Sequence, residues 1–109
     1  MKNAAERRAV VHYLLRGYRI LGTNVWAGGN EIDVIARRGR TLVFCEVKSK
    51  TGDRLGDPLE MVTAEKQRRL RRAAETWLAL HPDLCELEMS WDVIAVRDGK
   101  LQRVRNAFA

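Results

Sequence analysis

EIDVIARRGRTLVFCEVK, residues 31–48, is the stretch that decides the fold. It holds two runs rich in β-branched and apolar residues, separated by an Arg-Arg-Gly-Arg segment with the length of a tight hairpin connection. Two antiparallel strands, Glu31–Ala36 and Thr41–Lys48, are therefore predicted.

Three charged residues interrupt this hairpin, at Asp33, Glu46 and Lys48. With the turn centred near Gly39, Asp33 lies roughly opposite Glu46. Strict alternation of side chains puts Asp33 on the same face as Ile35, and Glu46 on the same face as Lys48. Burying carboxylates and an ammonium group is costly unless they bind a ligand or each other, so the pattern indicates a functional site.

Composition indicates a globular protein with an anionic partner. The 109 residues are predicted to form one domain, residues 1–109, and 46% of them are hydrophobic. Lys and Arg number 20 against 14 acidic residues, which gives a net charge of +6. This excess favours nucleic acid as a partner.

The chain gives no indication of a membrane or an oxidising compartment. No apolar run approaches the ~20 residues needed to cross a bilayer, so no membrane partner is expected. Cys45 and Cys85 do not have metal-ligand spacing, and Cys45 is expected to be a small core residue. The predicted location is the cytoplasm.

The remaining elements follow from helical spacing, caps and turn residues. Their order is α-β-β-β-α-β-β, which predicts an α/β fold with a central mixed sheet flanked by helices. In addition to the hairpin we predict a helix Ala4–Arg16, a strand Tyr18–Trp26, a mobile loop Ser49–Glu60, a helix Thr63–Leu80, and strands Ser90–Val96 and Leu101–Val104.

The charged triplet has the groups that phosphodiester hydrolysis requires. Asp33 and Glu46 would supply carboxylate oxygens to Mg²⁺ or Mn²⁺, and the Val47 carbonyl could be a third ligand. Lys48 would stabilise the developing charge, since neighbouring carboxylates should keep it protonated.

An Asp followed across a hairpin by Glu-x-Lys resembles the PD-(D/E)xK nuclease superfamily, which includes restriction endonucleases and archaeal Holliday-junction resolvases. Within it, the whole chain is similar to the YraN-like family of small uncharacterised bacterial proteins. The resemblance implies a restriction-endonuclease-like fold and a DNA endonuclease, with the structure specificity of resolvases as one form of that activity. Ile32 stands where the superfamily motif has Pro. The shared features are Glu6, Asn30–Asp33, Phe44–Lys48, Trp91–Val93 and Asn106–Phe108.

The resemblance also implies further site residues on the two helices. Glu6 is the candidate for an acid on the first helix, and a capping box with Asn3 is its structural alternative. Lys66 and Gln67 are candidates on the second helix, unless its first turn simply extends into solvent. Glu31 could add a carboxylate, although we favour a role as the first residue of a strand.

Basic residues cluster in two places. A run of this kind is usually a solvated helix face, but together the two groups could neutralise several phosphates if they lie on one side of the molecule. Lys66, Arg68, Arg69, Arg71 and Arg72 belong to the second helix, and Arg37, Arg38 and Arg40 to the hairpin turn. Asp92, at the start of a later strand, is expected to cap or pair locally.

Two functions fit these residues. The first is a magnesium-dependent endonuclease acting on DNA. The second is a nucleic-acid-binding module that keeps the fold without catalysis. An RNA-directed role is a third alternative that the residues do not distinguish, and the resolvase resemblance leaves a homodimer open.

Overall fold

A computed structural model describes residues 3–50 and 62–108 of the chain. The elements follow the predicted α-β-β-β-α-β-β order, which confirms the α/β class. A short 3₁₀ helix, Pro82–Leu84, precedes the fourth strand. The other elements are α1 (Ala4–Leu15), β1 (Arg19–Ala27), β2 (Asn30–Arg38), β3 (Thr41–Lys50), α2 (Ala64–Ala79), β4 (Glu88–Arg97) and β5 (Lys100–Val104).

The strands form a mixed sheet in the order β1-β2-β3-β4-β5. Hairpins join β1 to β2, β2 to β3 and β4 to β5 as antiparallel pairs. β3 and β4 are parallel, in register from Thr41↔Glu88 to Lys50↔Arg97. A parallel pair requires a long crossover, and the connection that contains α2 provides it.

Each face of the sheet is covered by one helix. Phe44 of β3 and Trp77 of α2 belong to one buried cluster, the α2-side core. Cys45 of β3 and Tyr13 of α1 belong to another, the α1-side core. Neighbouring residues of β3 therefore pack in opposite directions, as alternation requires. Cys45 is buried, as predicted.

Side-chain caps define where both helices begin, and a close turn packs α2 against the sheet. The Glu6 amide donates to the Asn3 side chain at 2.9 Å, and the Lys66 amide donates to the Thr63 hydroxyl at 3.2 Å. The turn between β1 and β2 packs directly on α2, because a Cβ added at Gly28 would lie 2.8 Å from the Thr76 hydroxyl. This contact sets α2 beside the beginning of β2.

Alternation fails at Asp33, and the prediction that it shares a face with Ile35 by strict alternation is wrong. Ile32 and Ile35 both pack in the α2-side core, whereas Val34 packs in the α1-side core. Opposite Asp33 in β1 is Asn24, whose φ of 50° is left-handed. The left-handed backbone of Asn24 and the loss of alternation at Asp33 therefore occur at facing positions of the two strands.

The ends of the elements differ slightly from the prediction. β3 includes Ser49 and Lys50, which had been assigned to the loop. The rest of the predicted loop, residues 51–60, lies outside the described residues. Within residues 3–50 and 62–108, neither α1 nor α2 has the length and apolar character needed to cross a membrane.

Candidate functional site

Three carboxylates meet where β2 passes the beginning of α1. Glu6, Glu31 and Asp33 each place one oxygen within 4.8 Å of the other two. Glu6 is 5% exposed and Asp33 is 8% exposed, so two of the three acids are buried. The side-chain amide of Asn24 donates to the Glu6 carboxylate at 3.1 Å and approaches the Glu31 carboxylate at 3.5 Å. The left-handed residue of β1 thus links two of the acids.

The two alternatives for Glu6 coexist. Its backbone amide is capped by Asn3, and its carboxylate lies in the acidic group. Glu31, for which we had favoured a purely structural role, is also part of that group. Its position two residues before Asp33 was the available sequence signal, but the loss of side-chain alternation at Asp33 could not be predicted.

Asp33 also joins the two strands. Its Oδ2 accepts a hydrogen bond from the Val47 backbone amide at 2.8 Å. The regular register of β2 with β3 ends at Val34↔Cys45, the neighbouring pair. The Asp33 carboxylate therefore occupies the position where the two strands separate, and it ties β3 to the acidic group.

The environment of Asp33 favours a bound cation. Burial and the nearby Glu46 raise the pKa of Asp33 from 3.8 to about 8, with smaller contributions from Glu6 and Glu31, against the opposing hydrogen bond from Val47. Asp33 therefore retains a proton below about pH 8, and a cation that took the place of this proton would relieve the repulsion among the acids.

Glu46 and Lys48 form an ion pair beside this group. The Lys48 Nζ lies 3.0 Å from Glu46 Oε1, and their side chains are only 18% and 19% exposed. Burial alone would lower the pKa of Lys48, but its neighbours outweigh burial and raise it, with attraction from Glu46 and Asp33. Lys48 is therefore protonated at neutral pH.

The acids that converge differ from the predicted pair. Among the described residues, the group within 4.8 Å contains Asp33 but not Glu46. Glu46 is still close enough to raise the pKa of Asp33. The Val47 amide is engaged by Asp33, while a ligand role for its carbonyl stays a prediction.

The donor set fits a small divalent cation. Mg²⁺ binds oxygen ligands at about 2.0–2.1 Å, so two ligands of one ion lie within roughly 4 Å of each other. The carboxylates of Glu6, Glu31 and Asp33 are within 4.8 Å of one another, and small side-chain movements would bring them to that spacing. Oxygen donors without a Cys or His favour Mg²⁺ or Mn²⁺.

The first turns of α2 face this site. Lys66 and Arg69 line a cavity of about 170 Å³ together with Glu31 and Glu46. Arg69 also pairs with Glu65 at 2.8 Å on the exposed surface. The cavity therefore has acids on one wall and cations on the other.

Other predicted residues have different neighbours. The side-chain amide of Gln67 donates to the Val62 backbone carbonyl at 3.3 Å. Arg68 is exposed. Arg37 donates to Gly39 in the hairpin turn at 3.1 Å. Gln67 thus contacts the backbone that precedes α2, and Arg37 lies at the far end of β2 from the acids.

Arg38 packs beside the end of α1, on the opposite face of the sheet from the arginines of α2. It donates to the Arg16 carbonyl at 3.0 Å, and its guanidinium lies 4.5 Å from the centre of the Tyr18 ring. Arg38 is therefore not part of one basic surface with the α2 arginines.

Asp92 is a second buried acid, and it has distant partners in addition to the local pairing that we expected. It is fully buried and forms an ion pair with Arg103 at 2.9 Å. It also accepts from the Tyr13 hydroxyl at 2.7 Å, from Ser90 at 2.8 Å and from the Asn106 amide at 3.0 Å. Its charge is matched by these donors, so its role is structural.

Comparison with known sequences identifies the family. Residues 5–96 match the model of the uncharacterised protein family UPF0102. The chain belongs to the UPF0102 family. This confirms the resemblance to YraN-like proteins. The similarity of this chain to UPF0102 proteins extends over nearly its whole length. It therefore includes both helices and the strands that carry the acidic group.

Individual UPF0102 proteins show the same extent of similarity. The protein from Chlorobium phaeobacteroides is 42% identical over 113 residues, which cover 94% of this chain and 89% of that protein. The protein from Symbiobacterium thermophilum is 43% identical, with 96% and 92% covered. The protein from Shewanella amazonensis is 38% identical, with 95% and 94% covered.

Proposed function

We propose that this UPF0102 protein is a metal-dependent nuclease that hydrolyses phosphodiester bonds in DNA. The observation that carries the proposal is the convergence of Glu6, Glu31 and Asp33 within 4.8 Å, beside the Glu46–Lys48 ion pair. The resemblance to the PD-(D/E)xK superfamily supports the same activity.

The three converging carboxylates would hold the metal. Asp33 has two oxygens, so it can accept from the Val47 amide and still offer a ligand atom. Asn24 orients Glu6 and Glu31 through its amide. A bound Mg²⁺ would polarise the phosphate and lower the pKa of a coordinated water.

Lys48 would act through its charge. It is protonated, and Glu46 holds its Nζ at 3.0 Å on the side of β3 next to the acids. A fixed ammonium group can stabilise the negative charge that develops on a phosphoryl oxygen. Its raised pKa makes Lys48 a poor general base at neutral pH.

The cations of α2 would position the substrate. Lys66 and Arg69 face Glu31 and Glu46 across the cavity, so a phosphate bound by them would lie next to the acids. Arg68 is exposed on the neighbouring surface of the helix and could contact an adjacent phosphate. Specificity for branched or flapped DNA is part of the proposal, and the resolvase resemblance supports it.

The decisive experiment is a cleavage assay on defined substrates. Four-way junctions, flaps, nicked duplexes, single-stranded DNA and RNA are incubated with Mg²⁺, Mn²⁺ or EDTA. We expect metal-dependent cleavage of at least one DNA substrate. Lys48→Gln should reduce the rate by about 10²–10³-fold, as expected for loss of one charge-stabilising group.

The control variant is Arg40→Ala, which removes an exposed charge in the turn between β2 and β3. It should cleave like the parent protein, and Asp33→Asn should be inactive. Substrates that stay intact with both metals, or cleavage that persists in Asp33→Asn, would refute the proposed activity.

A binding module without catalysis is the second candidate. It is favoured by the exposure of Lys66, Arg68 and Arg69, which can bind phosphates without a metal. It predicts salt-sensitive DNA binding that neither EDTA nor Glu46→Gln changes, combined with no cleavage of any substrate.

A further inference from the structure

A large groove runs along α1 on the face of the sheet opposite α2. It has a volume of about 1010 Å³ and lies between α1 and β5, and we call it the α1–β5 groove. Arginines dominate its lining, and no Asp or Glu contributes to the lining among the described residues. Its cations are Arg7, Arg8, Arg16, Arg38, Arg103 and Arg105.

Among the described residues, Arg103 is the groove arginine with an acid as ion-pair partner. Arg103 forms the ion pair with Asp92. Arg8 donates to the Gly99 carbonyl, and Arg16 donates to the His12 carbonyl at 3.1 Å. Contacts with neutral carbonyls orient a guanidinium group without cancelling its charge. Much of the chain's excess positive charge is therefore collected in this groove.

We propose that the α1–β5 groove binds the sugar-phosphate backbone of a nucleic acid, as a second site separate from the carboxylate group. The 12 residues of α1 give the groove a length of roughly 18 Å. One strand of a duplex carries a phosphate about every 3.4 Å along the axis, and the winding backbone separates successive phosphates further, so a few phosphates fit along α1. Planar guanidinium groups match phosphate oxygens well.

The non-arginine lining also suits a nucleic acid. Val11 and Leu15 line the groove and are 51% and 78% exposed, so they offer apolar contacts to sugars. The Nε2 of His12 is buried, and within residues 3–50 and 62–108 no hydrogen-bond partner reaches it.

The groove and the acidic group both include residues from the first turn of α1. Ala4 lines one end of it, and Glu6, one half-turn further along α1, points its carboxylate into the acidic group. Two positions along a helix turn the side-chain direction by about 200°, so the groove and the acidic group lie on different sides of α1. Binding in the groove does not require cleavage, and it can be tested separately.

The test is fluorescence anisotropy with a labelled 20-base-pair DNA duplex in EDTA, across a range of salt concentrations. Arg7→Ala/Arg105→Ala removes two exposed groove arginines that have no partner among the described residues. Arg19→Ala/Arg40→Ala removes two exposed arginines that do not line the groove. Both pairs change the net charge equally.

We expect the groove pair to bind at least tenfold more weakly than the parent at low salt. For this double variant, the slope of log affinity against log salt concentration should be smaller in magnitude by about 2, as expected for two lost phosphate contacts. The control pair should keep the parent slope. Arg7→Lys/Arg105→Lys should recover part of the affinity, because charge is restored.

Equal losses in the two pairs, or no duplex binding by the parent, would overturn the inference. So would groove-dependent binding of poly-glutamate in place of DNA, which would indicate an acidic protein partner. Melting temperatures verify folding, and the two single variants are measured should the pair unfold. Asp33→Asn should bind like the parent, so loss of cleavage and loss of groove binding are distinguishable.

Discussion

The Asp33 carboxylate holds the Val47 backbone amide at 2.8 Å, and this bond replaces the backbone ladder where β2 and β3 separate. Asp33 thus has two tasks, since it closes the sheet at this point and contributes to the acidic group. Substitution of Asp33 should therefore change both the stability and the metal affinity of the protein.

The stability of the metal-free protein should fall as the pH rises, through Asp33. The folded protein raises the pKa of this carboxyl from 3.8 to about 8, so it retains a proton that the unfolded chain releases. This contribution is complete below about pH 4 and is lost as the pH rises through 8. Urea unfolding in EDTA between pH 5 and pH 8.5 measures it.

Asp33→Asn is the matched control for this pH dependence, because an amide oxygen can still accept from the Val47 amide. The stability of the parent relative to this variant should decline from pH 5 to pH 8.5. A constant difference across that range would mean that Asp33 does not have the raised pKa. Asp33→Ala should cost about 1–3 kcal/mol more, since it leaves the Val47 amide without its acceptor.

Mn²⁺ should raise the melting temperature. A ligand that binds only the folded state adds about 2.7 kcal/mol at 100 times its Kd, which corresponds to a shift on the order of 10 °C for a domain of this size. The shift should be larger at pH 8 than at pH 6, because the proton on Asp33 competes with the metal. Differential scanning fluorimetry measures both values.

The Mn²⁺ response should disappear in Asp33→Asn and persist in Glu75→Gln. Glu75 is an exposed acid on α2 outside the acidic group, so its loss controls for a general change in charge. An undiminished shift in Asp33→Asn would place the bound Mn²⁺ elsewhere on the protein.

Lys48→Arg should retain more DNA cleavage than Lys48→Gln. The arginine preserves a positive charge next to Glu46, whereas the glutamine leaves that partly buried carboxylate without its ion-pair partner. Single-turnover rates at saturating metal separate the two variants. Equal rates would argue against an electrostatic role for Lys48 and in favour of a purely structural one.

The fold was largely predictable because its signals are local. The Asp98-Gly99 turn between β4 and β5 and the apolar stripe of α2 depend on residues close in sequence. Cys45 was correctly placed by simple alternation along β3. Local patterns also gave the element order, from which the mixed sheet follows.

The site was less predictable because it depends on two events that sequence spacing does not record. The first is the loss of side-chain alternation at Asp33, opposite the left-handed Asn24, because alternation was used to assign the faces. The second is the approach of distant elements. Glu6 of α1 meets Glu31 of β2, and Arg38 packs against Tyr18 rather than joining the basic face of α2.

Asp92→Asn should be the most destabilising polar substitution among those considered. It would leave the guanidinium of Arg103, only 9% exposed, without its counter-charge, at a cost of about 3–5 kcal/mol. Tyr13→Phe removes one hydrogen bond to the same carboxylate and should cost about 1.5–3 kcal/mol. Urea unfolding of both variants gives the comparison. A free energy of unfolding for Asp92→Asn within about 1 kcal/mol of the parent value would contradict this expectation. The Asp92 network would then not be what holds α1 and β5 on this face of the sheet.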